Sequence, residues 1–164
     1  MTEEYRSEAA LVAGERAQIE AFLHDNRREL AWLLDGLTEE QARRRLVPSA
    51  TTLLGLVKHA AYVERSWFDL GLAGRTRAEA GLPEVGADTF ALAAGDTIAS
   101  VLEGYRQAWA DADRTAAAYG LDDLALHNRR GPLSLRWILL HLIEELARHA
   151  GHGDILREQI LANA

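Results

Sequence analysis

The chain contains no cysteine. That absence removes disulfides, thiolate metal ligands and a cysteine nucleophile. Any sulfur chemistry here must use a thiol brought from outside. Basic charge is also short: 18 Lys and Arg stand against 25 Asp and Glu, and Lys58 is the sole lysine. The net charge of -7, with no basic patch interleaved with aromatics, argues against a general nucleic-acid binder. No apolar run is long enough to cross a membrane, and no signal peptide opens the chain, so a cytoplasmic protein is expected. Period-two alternation, the mark of strands, is missing as well.

What is present is helical period. At 164 residues and 48% hydrophobic content, the chain suits one globular domain, residues 1–164. Four segments repeat apolar residues at helical spacing. The first covers about 15–34, with Ile19, Phe22, Leu30 and Leu33 on one stripe. Thr38 to Gln41 match a capping box that starts a short helix, which Pro48 and Ser49 end. The second long segment covers about 52–71. The third covers about 96–119, with Ile98, Leu102, Tyr105, Trp109, Ala112 and Ala116 inward. Ser134 can cap the fourth, which runs to about 162. These predict an all-α, up-down four-helix bundle. The link between the second and third helices is too long for a plain turn; it is a crossover, or a lid over one end.

The stretch EELARHAGHGD, 144–154, breaks the rules of its own helix. Gly151 and Gly153 each cost about 1 kcal/mol against alanine in a helix interior. Glycine admits close approach of another group, which suits Gly153 on its partly inward face. At roughly 100° per residue, His149 and His152 fall within about 40° of Glu145. His141 lies at the edge of this stripe. Glu145, His149 and His152 are therefore expected to face the bundle interior, while Glu144 and Arg148 form the rim. On the second helix, Thr52, Leu56, His59, Val63, Ser66 and Leu70 share a stripe with His59 at its middle. Glu64 is rotated about 140° from His59 and is rejected as its partner. His24 and His127 lie in polar stretches and are expected to be solvated.

A single core histidine is ordinarily no more than a hydrogen-bonded side chain. A buried carboxylate with several converging imidazoles is another matter, because the charge needs a partner or a metal. Imidazole and carboxylate donors suit zinc, nickel or iron. The expected set is His59, Glu145 and His149, with His152 as a fourth ligand or a contact to bound substrate. Arg136 and Arg148 are candidate contacts for an anionic substrate.

The blocks TEEQARRRLVPSATTLLGLVKHAAYVERSWF, 38–68, and LSLRWILLHLIEELARHAGHGDILRE, 133–158, resemble the DinB-like (DinB/YfiT-like) metalloenzyme superfamily. The likeness is to its actinobacterial mini-circle-like branch and covers about 29–158. That superfamily builds a metal site from one histidine on the second helix and two ligands on the last. His59 matches the first and His149 the last; the position four before it, often histidine, is Glu145 here. His152 stands where many members carry glutamine. The resemblance implies a divalent metal, zinc or nickel, and an exogenous thiol such as mycothiol or bacillithiol. It implies transfer or isomerisation of a small electrophile, and a homodimer whose interface Trp32, Trp67 and Trp137 could line. A metal-dependent hydrolase using bound water, or a non-catalytic stress-related binding protein, remain as alternatives.

Overall fold

The structure is a computed structural model and describes residues 4–162. Its four main helices are α1 (Glu15–Trp32), α2 (Leu53–Arg65), α3 (Ile98–Ala116) and α4 (Leu135–Ala162). They pack pairwise, α2 chiefly on α3 and α1 on α4, with α2 also touching α4. This is the helical bundle expected from the periodicity. The chain through α2 runs opposite to α4: His59 lies beside His149, and Trp67, two residues past the end of α2, lies beside His141.

Three of the four main helices start where a side chain can satisfy their free amides, while α1 starts after Gly14 with no side-chain cap. Thr52 Oγ1 accepts from the Gly55 amide at 3.0 Å. Thr97 and Ser100 form a reciprocal capping box ahead of α3. Ser134 Oγ accepts from the Trp137 amide at 3.2 Å. The short helix Glu39–Ala42 carries the box read from Thr38 and Gln41. The core is a continuous aliphatic cluster in which Leu30, Leu53, Leu56, Ile138 and Leu142 are fully buried.

Several expectations are corrected. The α-helical hydrogen bonding of α2 stops at Arg65, and Ser66–Leu72 continue as a π-helix. Such wider turns often occur at functional sites, and periodicity alone does not separate them from an α-helix. Phe22 is 53% exposed while Leu23 is buried, because α1 also carries Asp25 and Arg27 inward and its face is turned to admit them. A hairpin of two-residue strands, β1 (Leu124–Ala125) and β2 (Leu133–Ser134), joins α3 to α4. It is too short to show alternation in sequence. His24 is half-buried against Trp109 rather than solvated, with ring centroids 6.1 Å apart. Among the described residues no helix is long and apolar enough to cross a membrane.

Inside the bundle sits a charge cluster that the sequence reading missed. Arg27 is 2% exposed and Glu64 is fully buried. Arg27 Nε and Nη2 donate to the two Glu64 oxygens, each at 2.7 Å, and Nη1 donates to Asp113. Glu64 is indeed turned away from His59. Its place in the core is held by a bidentate guanidinium from α1, the geometry that best satisfies a buried carboxylate.

The two glycines of α4 have different reasons. A Cβ on Gly153 would stand 2.1 Å from Leu33 Cδ1, so glycine is what lets α1 and α4 close. A Cβ on Gly151 would meet nothing within 4 Å.

Candidate metal centre

His59 on α2 and Glu145 and His149 on α4 come together. One ligand atom from each lies within 4.8 Å of the others. Glu145 Oε1 is 3.1 Å from His149 Nε2 and 3.6 Å from His59 Nε2. The side chains are 12% (His59), 20% (Glu145) and 13% (His149) exposed, so the cluster is neither sealed nor solvated. The spacing of four on α4 stacks Glu145 and His149 on one face, and α2 brings His59 across to them.

The crossover sets the orientation of His59. Its Nδ1 is 2.7 Å from Thr89 Oγ1. With the proton on Nδ1, this bond is donated to Thr89 and the Nε2 lone pair is turned to Glu145 and His149. Phe90 stacks on the His59 ring, with centroids 4.1 Å apart and planes 14° from parallel. The approach depends on Gly55, where a Cβ would stand 2.7 Å from the Phe90 carbonyl oxygen. Lys58 ties down the same strap, donating to the Ala91 carbonyl and to Asp96, each at 2.8 Å. The long link is thus a structural crossover that also covers one side of the cluster.

Burial and the neighbouring His149 hold the His59 pKa below its ordinary value, so its ring is neutral at pH 7. Burial pushes the Glu145 carboxyl up, but His149 and His59 outweigh it and keep the pKa below the usual carboxylate value. Glu145 is therefore an anion facing imidazole nitrogens. His149 Nδ1 is buried with no hydrogen-bond partner. A ring with an unsatisfied nitrogen, a second ring preset by Thr89 and a carboxylate between them fit a divalent cation in donor type and number.

His152 is not among the residues brought together. It is exposed and outside the cluster, with its ring centroid 5.9 Å from that of His149. Its angle on the helix matches Glu145, but seven residues of rise put it ~10 Å further along the axis. Angle without rise made it look like a neighbour. His141 is half-buried among Trp67 and Trp137, with centroids 5.1 and 4.9 Å away. Those tryptophans pack on each other at 5.4 Å. Trp32, 51% exposed, lies under the Arg157 guanidinium at 4.6 Å. Glu144 and Arg148 are exposed and paired with each other, as expected of a rim. Arg136 is committed to Glu15 and Asp122. Neither arginine is left over for a substrate.

Beside Glu145 opens a pocket of about 510 Å³, walled by Tyr62, Val63, Trp67 and Leu70. The π-helix contributes Trp67 and Leu70 to this wall. A polar cluster at the edge of a partly apolar pocket is the usual form of a small-molecule site.

No curated protein matches the chain. A family model described as mycothiol-S-transferase matches residues 18–162, a span that contains α2, α3 and α4, all of α1 but its first three residues, and every residue of the cluster. The chain belongs to the mycothiol-S-transferase family, and that membership implies a thiol-dependent transferase with mycothiol as cosubstrate.

Proposed function

We propose that His59, Glu145 and His149 hold one divalent cation, zinc or nickel, and that the protein joins a low-molecular-weight thiol to a small electrophile beside it. The observation that supports this most is the convergence of three donor atoms within 4.8 Å, from two helices, next to a pocket of about 510 Å³. Three protein donors leave coordination positions open, the pattern of catalytic rather than structural sites. A bound cation supplies Lewis acidity that favours the deprotonated form of an incoming thiol.

The chain's own residues do the rest. His59 and His149 present imidazole nitrogens, and Glu145 offsets part of the cation's charge. Thr89 and Phe90 keep the His59 ring from turning. Tyr62 and Trp67 offer flat apolar walls to the electrophile and limit water near the reacting sulfur. In the transfer, the thiol gives its proton to solvent and its sulfur forms a bond to the electrophilic carbon. The leaving group departs with the electron pair of the bond that breaks. No cysteine of the chain competes for the electrophile. Family membership favours this reading over hydrolysis.

The test is turnover of an electrophile by the metal-loaded protein with and without mycothiol. Consumption that depends on the thiol and yields the thioether supports the proposal. Hydrolysis at the same rate without thiol would replace it.

A further inference from the structure

We infer that the pocket beside Glu145 selects an electrophile that carries a carboxylate on an apolar or aromatic body, and that Arg77, Arg129 and Arg130 are the residues that choose it. This deepens the transferase reading by naming a substrate class for the same site.

The chain is acidic, and six of its arginines elsewhere are taken up by acids, while Arg43, Arg45 and Arg157 are taken up by backbone carbonyls. Arg16, Arg27, Arg75, Arg114, Arg136 and Arg148 each pair with a carboxylate. Arg77, Arg129 and Arg130 line the pocket and have no such pair among the described residues. Arg77 is aimed by the Pro83 carbonyl and held 5.9 Å over the Tyr62 ring. Arg130 lies 5.7 Å over Trp137. Arg129 makes neither a hydrogen bond nor an ion pair with any described residue. The single acid on the pocket wall is Glu145, which is already engaged with His59 and His149. The other hollow that gathers three arginines with tryptophan, near Arg6, Arg28 and Arg106, also contains Glu29 and Asp35.

The placement of these arginines is built, not incidental. Arg129 and Arg130 sit at the tip of the β1–β2 hairpin. Asn128 Oδ1 accepts from the Arg130 amide at 2.9 Å, and Asn128 Nδ2 donates to the Ala125 carbonyl at 3.2 Å. Gly131 closes the turn at a φ of 86°. The hairpin is fastened to the end of the π-helix: the His127 amide donates to the Gly71 carbonyl at 3.3 Å. The His127 ring packs where a Cβ on Gly74 would stand, 2.9 Å away. Two adjacent like charges held at a fixed turn repel each other, and an anion between them relieves that repulsion. A guanidinium matches a carboxylate with two parallel hydrogen bonds, and Tyr62 and Trp67 offer flat surfaces to the remainder of the molecule.

The probes are benzoate and its neutral analogue benzamide, titrated into the full chain after chelator treatment and followed by the tryptophan indole N–H resonances. Benzoate binds saturably, and tighter than benzamide by about ten-fold or more, as expected for charge-assisted hydrogen bonds. Arg77→Gln and Arg129→Gln, each shown to be folded by circular dichroism, weaken benzoate by a similar factor and leave benzamide unchanged. Arg106→Gln makes the same change in net charge on another face and has no effect. Equal binding of the two probes, unaltered benzoate binding in the Arg77→Gln/Arg129→Gln double variant, or no benzoate binding to the stripped protein each overturns the assignment. Binding of benzoate only after metal is restored also overturns it, because the carboxylate is then a ligand of the cation. The metal proposal is read separately, by metal content, so it can fail while benzoate still binds, and the reverse.

Discussion

Helix α2 carries two polar side chains into the bundle five residues apart, and the two are treated in opposite ways. Glu64 is fully buried, and Arg27 satisfies both of its oxygens. His59 is 12% exposed, has one nitrogen bonded to Thr89, and turns the other to a carboxylate and a second imidazole. The Arg27–Glu64 pair is closed on itself: both Glu64 oxygens accept from one guanidinium, which also donates to Asp113, although a hollow of about 410 Å³ borders Arg27. The His59–Glu145–His149 cluster is open: its three side chains stay partly exposed, and the buried Nδ1 of His149 has no partner. Burial with every hydrogen bond made indicates a structural role, whereas partial burial with donor capacity left over indicates a ligand.

The largest way to sharpen this contrast is to break the closed cluster. Glu64→Ala leaves a buried guanidinium without its main partner and should cost about 3–5 kcal/mol in chemical denaturation. Arg27→Met with Glu64→Leu should recover most of that loss, since replacing both charges removes the stranded one. The corresponding change in the open cluster, Glu145→Gln, should leave stability within about 1 kcal/mol of the parent. A large loss from Glu145→Gln would erase the distinction.

Gly153 tests packing one turn beyond His149. Gly153→Ala puts a methyl 2.1 Å from Leu33 Cδ1 and should cost about 1–3 kcal/mol in denaturant melts, as overpacked cores do. Metal stoichiometry should be unchanged. Thr89→Ala should do the reverse. It removes the bond that fixes the His59 ring and should weaken metal affinity by about 10–100-fold in competition with a chelator. Thr89→Ser keeps the hydroxyl and should restore it. Equal affinity in all three proteins would reduce the crossover to a cover.

The smallest effect is on acid stability. His59 and His24 both have folded pKa values below their ordinary 6.5, the first cause in each case being burial. The unfolded chain then binds more protons, so their contribution is full above pH 6.5 and declines as pH falls below it. Glu145 is also depressed, so its share is lost at lower pH, as the solution passes down through its folded value. Urea melts of the metal-free protein between pH 7 and 5 should show this decline, and His59→Gln should flatten it. An unchanged slope in His59→Gln would place the titration elsewhere.

Much of the open cluster was legible in the sequence because its residues obey helix geometry. Glu145 and His149 are four apart, and His59 is centred on an otherwise apolar stripe. The helices, their caps at Thr38 and Ser134, and the close approach at Gly153 were readable for the same reason. His152 lies outside the cluster, because a shared angle on a helix carries no information on the rise along it. The Arg27–Glu64 pair was hidden because its partners lie 37 residues apart on two helices. Either charge alone looks like an ordinary surface residue. Thr89 was invisible for a related reason: nothing in the sequence of an irregular crossover shows which of its hydroxyls will land on a histidine. The hairpin that carries Arg129 and Arg130 is two residues to a strand, below the length at which alternation can be seen.

The central claim is that the open cluster is a metal site, and metal content per chain tests it most directly. The protein, purified without an affinity tag, is stripped with chelator, reloaded with zinc or nickel, desalted and measured by elemental analysis. The parent should retain one equivalent, and so should His24→Ala. His59→Ala and His149→Ala, confirmed as folded, should retain none, because no neighbouring side chain replaces the lost donor. Full retention in both variants, or none in the parent, would contradict the account.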